Sequence, residues 1–220
     1  MRRVGEAAAG GGWSLVVPLK PLSLAKSRLA EAAGAGLRSG LALAFAQDTV
    51  AAALGCADVR DVLVVTDDPL ARAELSALGA RTLPDTPGAG LNAALAHGAR
   101  WVRGERPEAR VAALNADLPA LRPAELARVL AAAGAFPRTF LADAAGIGTT
   151  FLAAAHGVDL APAFGGHSRD RHRASGAREI LLHGVESVRR DVDTREDFLA
   201  ALALGVGPGT AAATVPAGLR

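Results

Sequence analysis

The sequence predicts one α/β domain built on a mostly parallel mixed sheet flanked by helices. Two observations carry this. Short apolar, β-branched runs alternate with longer Ala/Leu segments of helical spacing, the pattern of strand–helix–strand crossovers. The chain's 220 residues, 50% of them hydrophobic, suffice for one sizeable core and fall short of two.

Each element follows in chain order. The stretch 1–12 is glycine-rich and is expected to be flexible; the apolar run Trp13–Leu19 behind it is too short for a secretory signal. Strands are predicted at Ser14–Leu19, Val62–Thr66, Arg81–Leu83, Val111–Leu114 and Thr139–Ala142, and helices at Leu37–Leu54, Pro69–Leu78, Gly90–Val102 and Pro123–Ala133. Pro69 and Pro123 suit a first helical turn, where the missing N–H has no partner to lose. After Asp143 the rhythm changes to glycine-rich turns, a strand at Thr149–Ala154, a basic segment and a strand near Ser187–Arg190. This reads as an insertion that completes a substrate pocket. The domain is expected to span 13–207, followed by a flexible tail at 208–220. The high alanine content shows no repeat.

Composition narrows the function. The 24 Lys and Arg nearly balance 22 Asp and Glu, so the calculated pI of 9.3 reflects a small surplus and not a nucleic-acid-binding face. The single cysteine, Cys56, excludes an intramolecular disulfide and a cysteine-rich metal cluster. No stretch reaches the roughly 20 apolar residues of a membrane span. A cytoplasmic protein is expected.

Three kinds of segment carry chemistry. The first strand runs into Pro18-Leu19-Lys20-Pro21-Leu22-Ser23-Leu24-Ala25-Lys26-Ser27-Arg28-Leu29, a loop whose cations suit a triphosphate at a strand's carboxyl end; a solvated basic loop is the alternative. The fourth strand ends in Asn115-Ala116-Asp117-Leu118-Pro119, where Asp117 is suited either to hold Mg2+ through oxygen or to cap a turn. Arg190-Asp191-Val192-Asp193-Thr194 adds two acids that strand alternation would aim to one face. Asp193 competes as a helix cap with Glu196, so Asp191 is favoured as a second metal ligand.

Further along, Gly146 to Thr150 and Phe164-Gly165-Gly166-His167-Ser168 combine glycines, which let backbone amides approach an anion, with hydroxyls of Thr149 and Ser168. Pro87 to Asn92, including Gly90 and Asn92, forms a turn before a helix that suits the wall of a base pocket. Asp67 and Asp68 read as caps. The five histidines lack metal-binding spacing and read as surface residues. There is no P-loop, no dinucleotide fingerprint and no nucleophile elbow. A phosphate oxygen that attacks as an anion needs only alignment and charge stabilisation, which cations, amides and Mg2+ supply.

Taken in order, Val17-Pro18-Leu19-Lys20 with Ala25-Lys26-Ser27-Arg28-Leu29, Asp117-Leu118-Pro119-Ala120-Leu121, Gly146 to Thr150, Phe164-Gly165 with Ser168 and Arg171-His172-Arg173, and Asp191-Val192-Asp193-Thr194 resemble one family. It is the 2-phospho-L-lactate and phosphoenolpyruvate guanylyltransferases (CofC or FbiD) of coenzyme F(420) biosynthesis. The likeness spans about Trp13 to Gly209.

The resemblance implies a Rossmann-like nucleotidyltransferase domain of the nucleotide-diphospho-sugar transferase type, in which phosphoenolpyruvate or 2-phospho-L-lactate displaces pyrophosphate from GTP. It implies that Thr149, Gly165 and Ser168 hold the phospho-acid, that Asp117, Asp191 and Asp193 bind Mg2+, as two ions, and that Lys20, Lys26 and Arg28 meet the GTP phosphates. Asp117, Lys26 and Arg28 are the expected catalytic residues. A partner transferase that consumes an unstable product is also expected. Two departures stand out: Asn115-Ala116 where many members carry Gly before the Asp, and Gly166-His167 in place of Pro-Asp. The competing readings are a nucleotidyltransferase for a molybdopterin or sugar phosphate, and a non-catalytic nucleotide-binding module.

Overall fold

The computed structural model describes residues 12–24, 35–86 and 88–214. Among these residues seven strands form one sheet: β1 (Trp13–Pro18), β2 (Val59–Val65), β3 (Arg81–Leu83), β4 (Val111–Leu114), β5 (Arg138–Ala142), β6 (Thr149–Ala154) and β7 (Arg178–Glu179). The helices are α1 (Ala35–Leu54), α2 (Pro69–Ala77), α3 (Leu91–Glu105), α4 (Pro123–Ala133), α5 (Ser168–Ala174), α6 (Glu186–Arg189), α7 (Arg195–Leu204) and α8 (Pro208–Thr214). The strand order is β3-β2-β1-β4-β6-β5-β7. The first four strands are mutually parallel, β6 runs antiparallel to both β4 and β5, and β7 pairs parallel with β5.

Alternation along β1 explains the layering. Trp13, Leu15 and Val17 pack with Ala46 and Val50 of α1, Leu75 of α2 and Leu126, Val129 and Leu130 of α4. Val16 points the other way, with Leu63 and Val65, onto Leu95, Ala99 and Val102 of α3. A sheet covered on both faces has strands apolar throughout, and β4 is buried at every residue. The α3 layer sits close because of Gly98, where a Cβ would lie 2.5 Å from Val16 Cγ1 and 2.9 Å from Val65 Cγ2. A third cluster, Leu41, Phe45, Ala120, Val192 and Phe198, joins α7 to the outer side of α1.

Two expectations are corrected. Ser187–Arg190 is not a strand: Glu186–Arg189 is a single helical turn, because β6 already has neighbours on both sides and β7 occupies the free edge of β5. The segment after Pro208 does not fray as far as Thr214. It is helix α8, whose Gly209 and Thr210 amides donate to Asp48 of α1 at 2.9 and 2.8 Å. The expected flexible N-terminus up to residue 11 lies outside the described residues, as do 215–220. Among the described residues, no helix is long and apolar enough to cross a membrane.

Candidate active site

In an open α/β sheet ligands gather beyond the carboxyl ends of the parallel strands. There β1 and β4 end side by side, and a cavity of about 710 Å3 opens, a volume typical of small-molecule sites. Pro18, Leu19 and Lys20 leave β1 along its wall, and Asn115, Ala116 and Asp117 leave β4. Leu91 from the start of α3 and Ala42 from α1 contribute apolar surface.

The turn carrying Asp117 is braced from two directions. The Leu118 N–H donates to Thr49 Oγ1 at 3.0 Å, and that buried hydroxyl donates to Phe45 O one turn back in α1 at 2.7 Å. The Val192 N–H donates to Asp117 O at 3.1 Å, while Asn115 Nδ2 approaches Asp191 Oδ2 at 3.4 Å. Two acidic segments far apart in sequence are thereby stitched together at the cavity. Asp193 lines the same cavity from an exposed position. It is not the helix cap: Thr194 and Asp197 form a reciprocal capping box at α7. Neither acid is in a strand: Asp191 lies in irregular chain and Asp193 on a bend.

A second group of donors faces the cavity from the insertion. Asp143 accepts the Ile147 and Gly148 amides at 2.9 and 2.8 Å, which closes the loop before β6. Arg169 holds that loop through Gly146 O at 2.9 Å and is itself paired with Glu179 at 2.9 Å. Burial alone would raise the Glu179 carboxyl, but hydrogen bonds from Arg173 and Arg169 outweigh it and hold it below the usual range. Ser168 is 1% exposed and its Oγ has no hydrogen-bond partner among the described residues, although the residue lines the cavity. Buried hydroxyls normally find partners, so this one is suited to an incoming acceptor. Gly165 adopts φ +96°, a backbone that L side chains rarely adopt, and Arg171 clasps the turn through Ala163 O and Gly165 O.

Behind this wall His172 is fully buried, not at the surface as the sequence suggested. Its Nδ1 lies 3.0 Å from Thr149 Oγ1 and its Nε2 receives the Ala163 N–H at 3.0 Å. Burial, reinforced by Arg138 and Arg171, lowers its pKa to about 4.

The structure thus brings Lys20, Asp117, Thr149, Gly165, Ser168, Asp191 and Asp193 to one cavity. Lys26 and Arg28 lie outside the described residues. Gly90 forms the N-cap of α3, and Leu91 beside it lines the cavity. Asn92 has another partner: its Oδ1 accepts the Phe164 N–H at 2.7 Å and its Nδ2 donates to Phe164 O at 3.2 Å, holding the turn before Gly165. Asp68 caps α2 by accepting the Leu70 and Ala71 amides. Thr49 escaped the sequence reading, and His172 was read as a surface residue although it is buried. For Thr49 the available signal was a polar residue on an otherwise apolar face of α1, which does not reveal a partner; the strongly polar α5 gives no sign that His172 is buried.

The description MobA-like NTP transferase domain fits residues 30–188 of this chain. A phosphoenolpyruvate guanylyltransferase of Streptomyces avermitilis is 72% identical over 201 residues, covering 91% of this chain and 93% of the relative. Among solved structures, a Desulfovibrio desulfuricans G20 protein assigned to the nucleotide-diphospho-sugar transferases matches with TM-score 0.68 at 15% identity, covering 95% of this chain and 96% of that one. Rv0371c of Mycobacterium tuberculosis H37Rv, solved as a manganese complex, matches with TM-score 0.52 at 21% identity, over 88% and 99% of the two chains. At these identities the two structures speak to the fold alone.

Proposed function

The chain belongs to the phosphoenolpyruvate guanylyltransferases, within the MobA-like NTP transferase family, and we propose that its cavity joins phosphoenolpyruvate to GTP with release of pyrophosphate. The observation that carries this reading is the meeting of two groups of side chains in one cavity: the carboxylates of Asp117 and Asp191 with Lys20, and the hydroxyls of Thr149 and Ser168 beside the Gly165 turn.

Phosphoenolpyruvate brings its own nucleophile, a phosphate oxygen already anionic near neutral pH. It attacks the α-phosphorus of GTP in line with the bond to the β-phosphate. The new P–O–P linkage forms as that bond breaks, and pyrophosphate leaves with the electron pair. No side chain has to remove a proton. Thr149 and Ser168 donate hydrogen bonds to the acid's anionic oxygens and the Gly165 turn fixes their depth, so the attacking oxygen is aligned. Lys20 offsets the charge of the nucleotide phosphates, a role we extend to Lys26 and Arg28. The start of α3, at Gly90 and Leu91, borders the base, while Asn92 acts on the acid side through Phe164.

The donor set fits a hard divalent cation. Asp117 and Asp191 offer oxygen alone, and among the described residues no three His, Cys, Asp or Glu side chains converge. Such a partial cage leaves coordination positions for water and substrate phosphate, as Mg2+ prefers. Asp117 and Asp191 would hold the ion, with Asp193 near a second; when bound, it neutralises charge on the transferred phosphoryl group. The family resemblance extends the proposal to coenzyme F(420) biosynthesis in the cytoplasm, with the product passed to a downstream transferase.

Mass spectrometry of reactions containing GTP, Mg2+ and, in turn, phosphoenolpyruvate, 2-phospho-L-lactate, a sugar phosphate and molybdopterin tests the reading. Enolpyruvyl-diphospho-5'-guanosine with pyrophosphate is the expected product. No guanylylated product from either three-carbon acid would sink it.

A further inference from the structure

His172 is packed between Phe140 and Phe164, with ring centroids 5.8 and 5.1 Å away. Its two nitrogens reach two segments of the cavity wall. The Ala163 backbone amide is a donor only, so Nε2, which faces it at 3.0 Å, must present a lone pair. This excludes the imidazolium, whose Nε2–H would confront that N–H. It leaves the neutral ring with its proton on Nδ1.

The consequence falls on Thr149, whose Oγ1 lies 3.0 Å from Nδ1. Since Nδ1–H donates, Oγ1 accepts, and the hydroxyl cannot turn its own hydrogen back toward the ring. Thr149 is 4% exposed and lines the cavity, so that hydrogen is available to an acceptor there. Opposite an unprotonated Nδ1 the hydroxyl would spend its hydrogen on the ring; this one is prevented from doing so.

We infer that His172 is a positioning residue which, through its Nδ1–H, fixes the Thr149 hydroxyl as a hydrogen-bond donor to an anionic oxygen of the three-carbon phospho-acid. Its Nε2 accepts the Ala163 N–H, two residues before Gly165, and this contact fixes the tautomer that the polarity of the acid subsite depends on. The inference rests on the reading of Thr149 as an acid contact. Burial, with Arg138 and Arg171 nearby, keeps the ring neutral around neutral pH.

Steady-state constants for both substrates test it in four variants checked by circular dichroism. Thr149→Val should raise KM for phosphoenolpyruvate roughly tenfold or more, the size of a lost hydrogen bond to a charged group, and leave KM for GTP unchanged. His172→Gln, whose amide reaches the Nε2 position and not the Nδ1 position, should do the same. His172→Asn, whose amide nitrogen falls near Nδ1, should stay within about threefold of the parent. The Thr149→Val/His172→Gln double variant should be no worse than Thr149→Val alone, because the two act as one unit. Multiplying effects, or equal losses in His172→Gln and His172→Asn, would overturn the inference. An unchanged KM in Thr149→Val would instead remove Thr149 from the acid subsite, and this role of His172 with it. On the unmutated enzyme, 15N shifts of the imidazole should report a protonated Nδ1; a protonated Nε2 refutes the assignment without any variant.

Discussion

Asp117 leaves β4 where the chain turns toward Pro119, and its backbone is held by neighbours on both sides. The turn should therefore survive loss of the charge. Asp117→Asn should lower kcat by roughly 10^2 to 10^3, the scale of removing a key group that stabilises transition-state charge, while stability changes by no more than about 0.5 kcal/mol. Pyrophosphate release and thermal melts measure the two. His172 makes the opposite kind of prediction, about stability. Its ordinary pKa is 6.5 and in the fold it is about 4, so between these values the unfolded chain holds a proton that the folded chain rejects. Stability is fully present above about pH 6.5 and declines as pH falls toward 4, by up to about 3 kcal/mol. Melting temperatures of the parent enzyme should fall more steeply across that window than those of His172→Asn; parallel curves would remove the cause. At this scale the sequence singled out Thr149, Gly165 and Ser168 from glycines beside hydroxyls, and the three line one cavity. It was silent at Thr49, whose partner Leu118 is 69 positions away.

The elements were legible wherever hydrophobic run and period agreed. Arg81–Leu83, Val111–Leu114 and Thr149–Ala154 are strands with the expected bounds; the last two are buried throughout a doubly covered sheet, while Arg81–Leu83 is a half-buried edge strand. The stretch Ser187–Arg190 failed because four residues fit either period and the vacancy in the sheet decides. Helix α8 was missed because its N-terminal amides are satisfied by Asp48, 161 and 162 positions earlier. Asp48→Ala leaves those donors unmet and should destabilise the protein by about 1–3 kcal/mol, with faster amide exchange confined first to α8. In α3, Gly98→Ala improves helix propensity by about 1 kcal/mol but drives a methyl into Val16 and Val65, which costs about 1–3 kcal/mol. The clash should win, giving a net loss of about 1 kcal/mol in denaturant unfolding; a gain would mean that α3 lifts freely from the sheet.

For the molecule as a whole, alternating strands and helices made the parallel half of the sheet predictable, and the antiparallel insertion of β6 between β4 and β5 was not. That insertion brings Thr149 beside the ends of β1 and β4. The cavity wall is held by hydrogen bonds within the chain, so an ion should be needed for turnover and not for the fold. EDTA should abolish pyrophosphate release and leave the circular dichroism spectrum and melting temperature unchanged, with activity restored by Mg2+ or Mn2+. A collapse of the fold on chelation would contradict that separation.

The contact between Asn115 and Asp191 spans 76 positions, and Gly207 reaches back to the carbonyl of Pro119. Long-range closures form slowly, because chain entropy must be lost before they are rewarded. In refolding from denaturant, helical signal should return first and catalytic competence last, after α7 and α8 have docked. Time, as much as geometry, separates a folded sheet from a working enzyme.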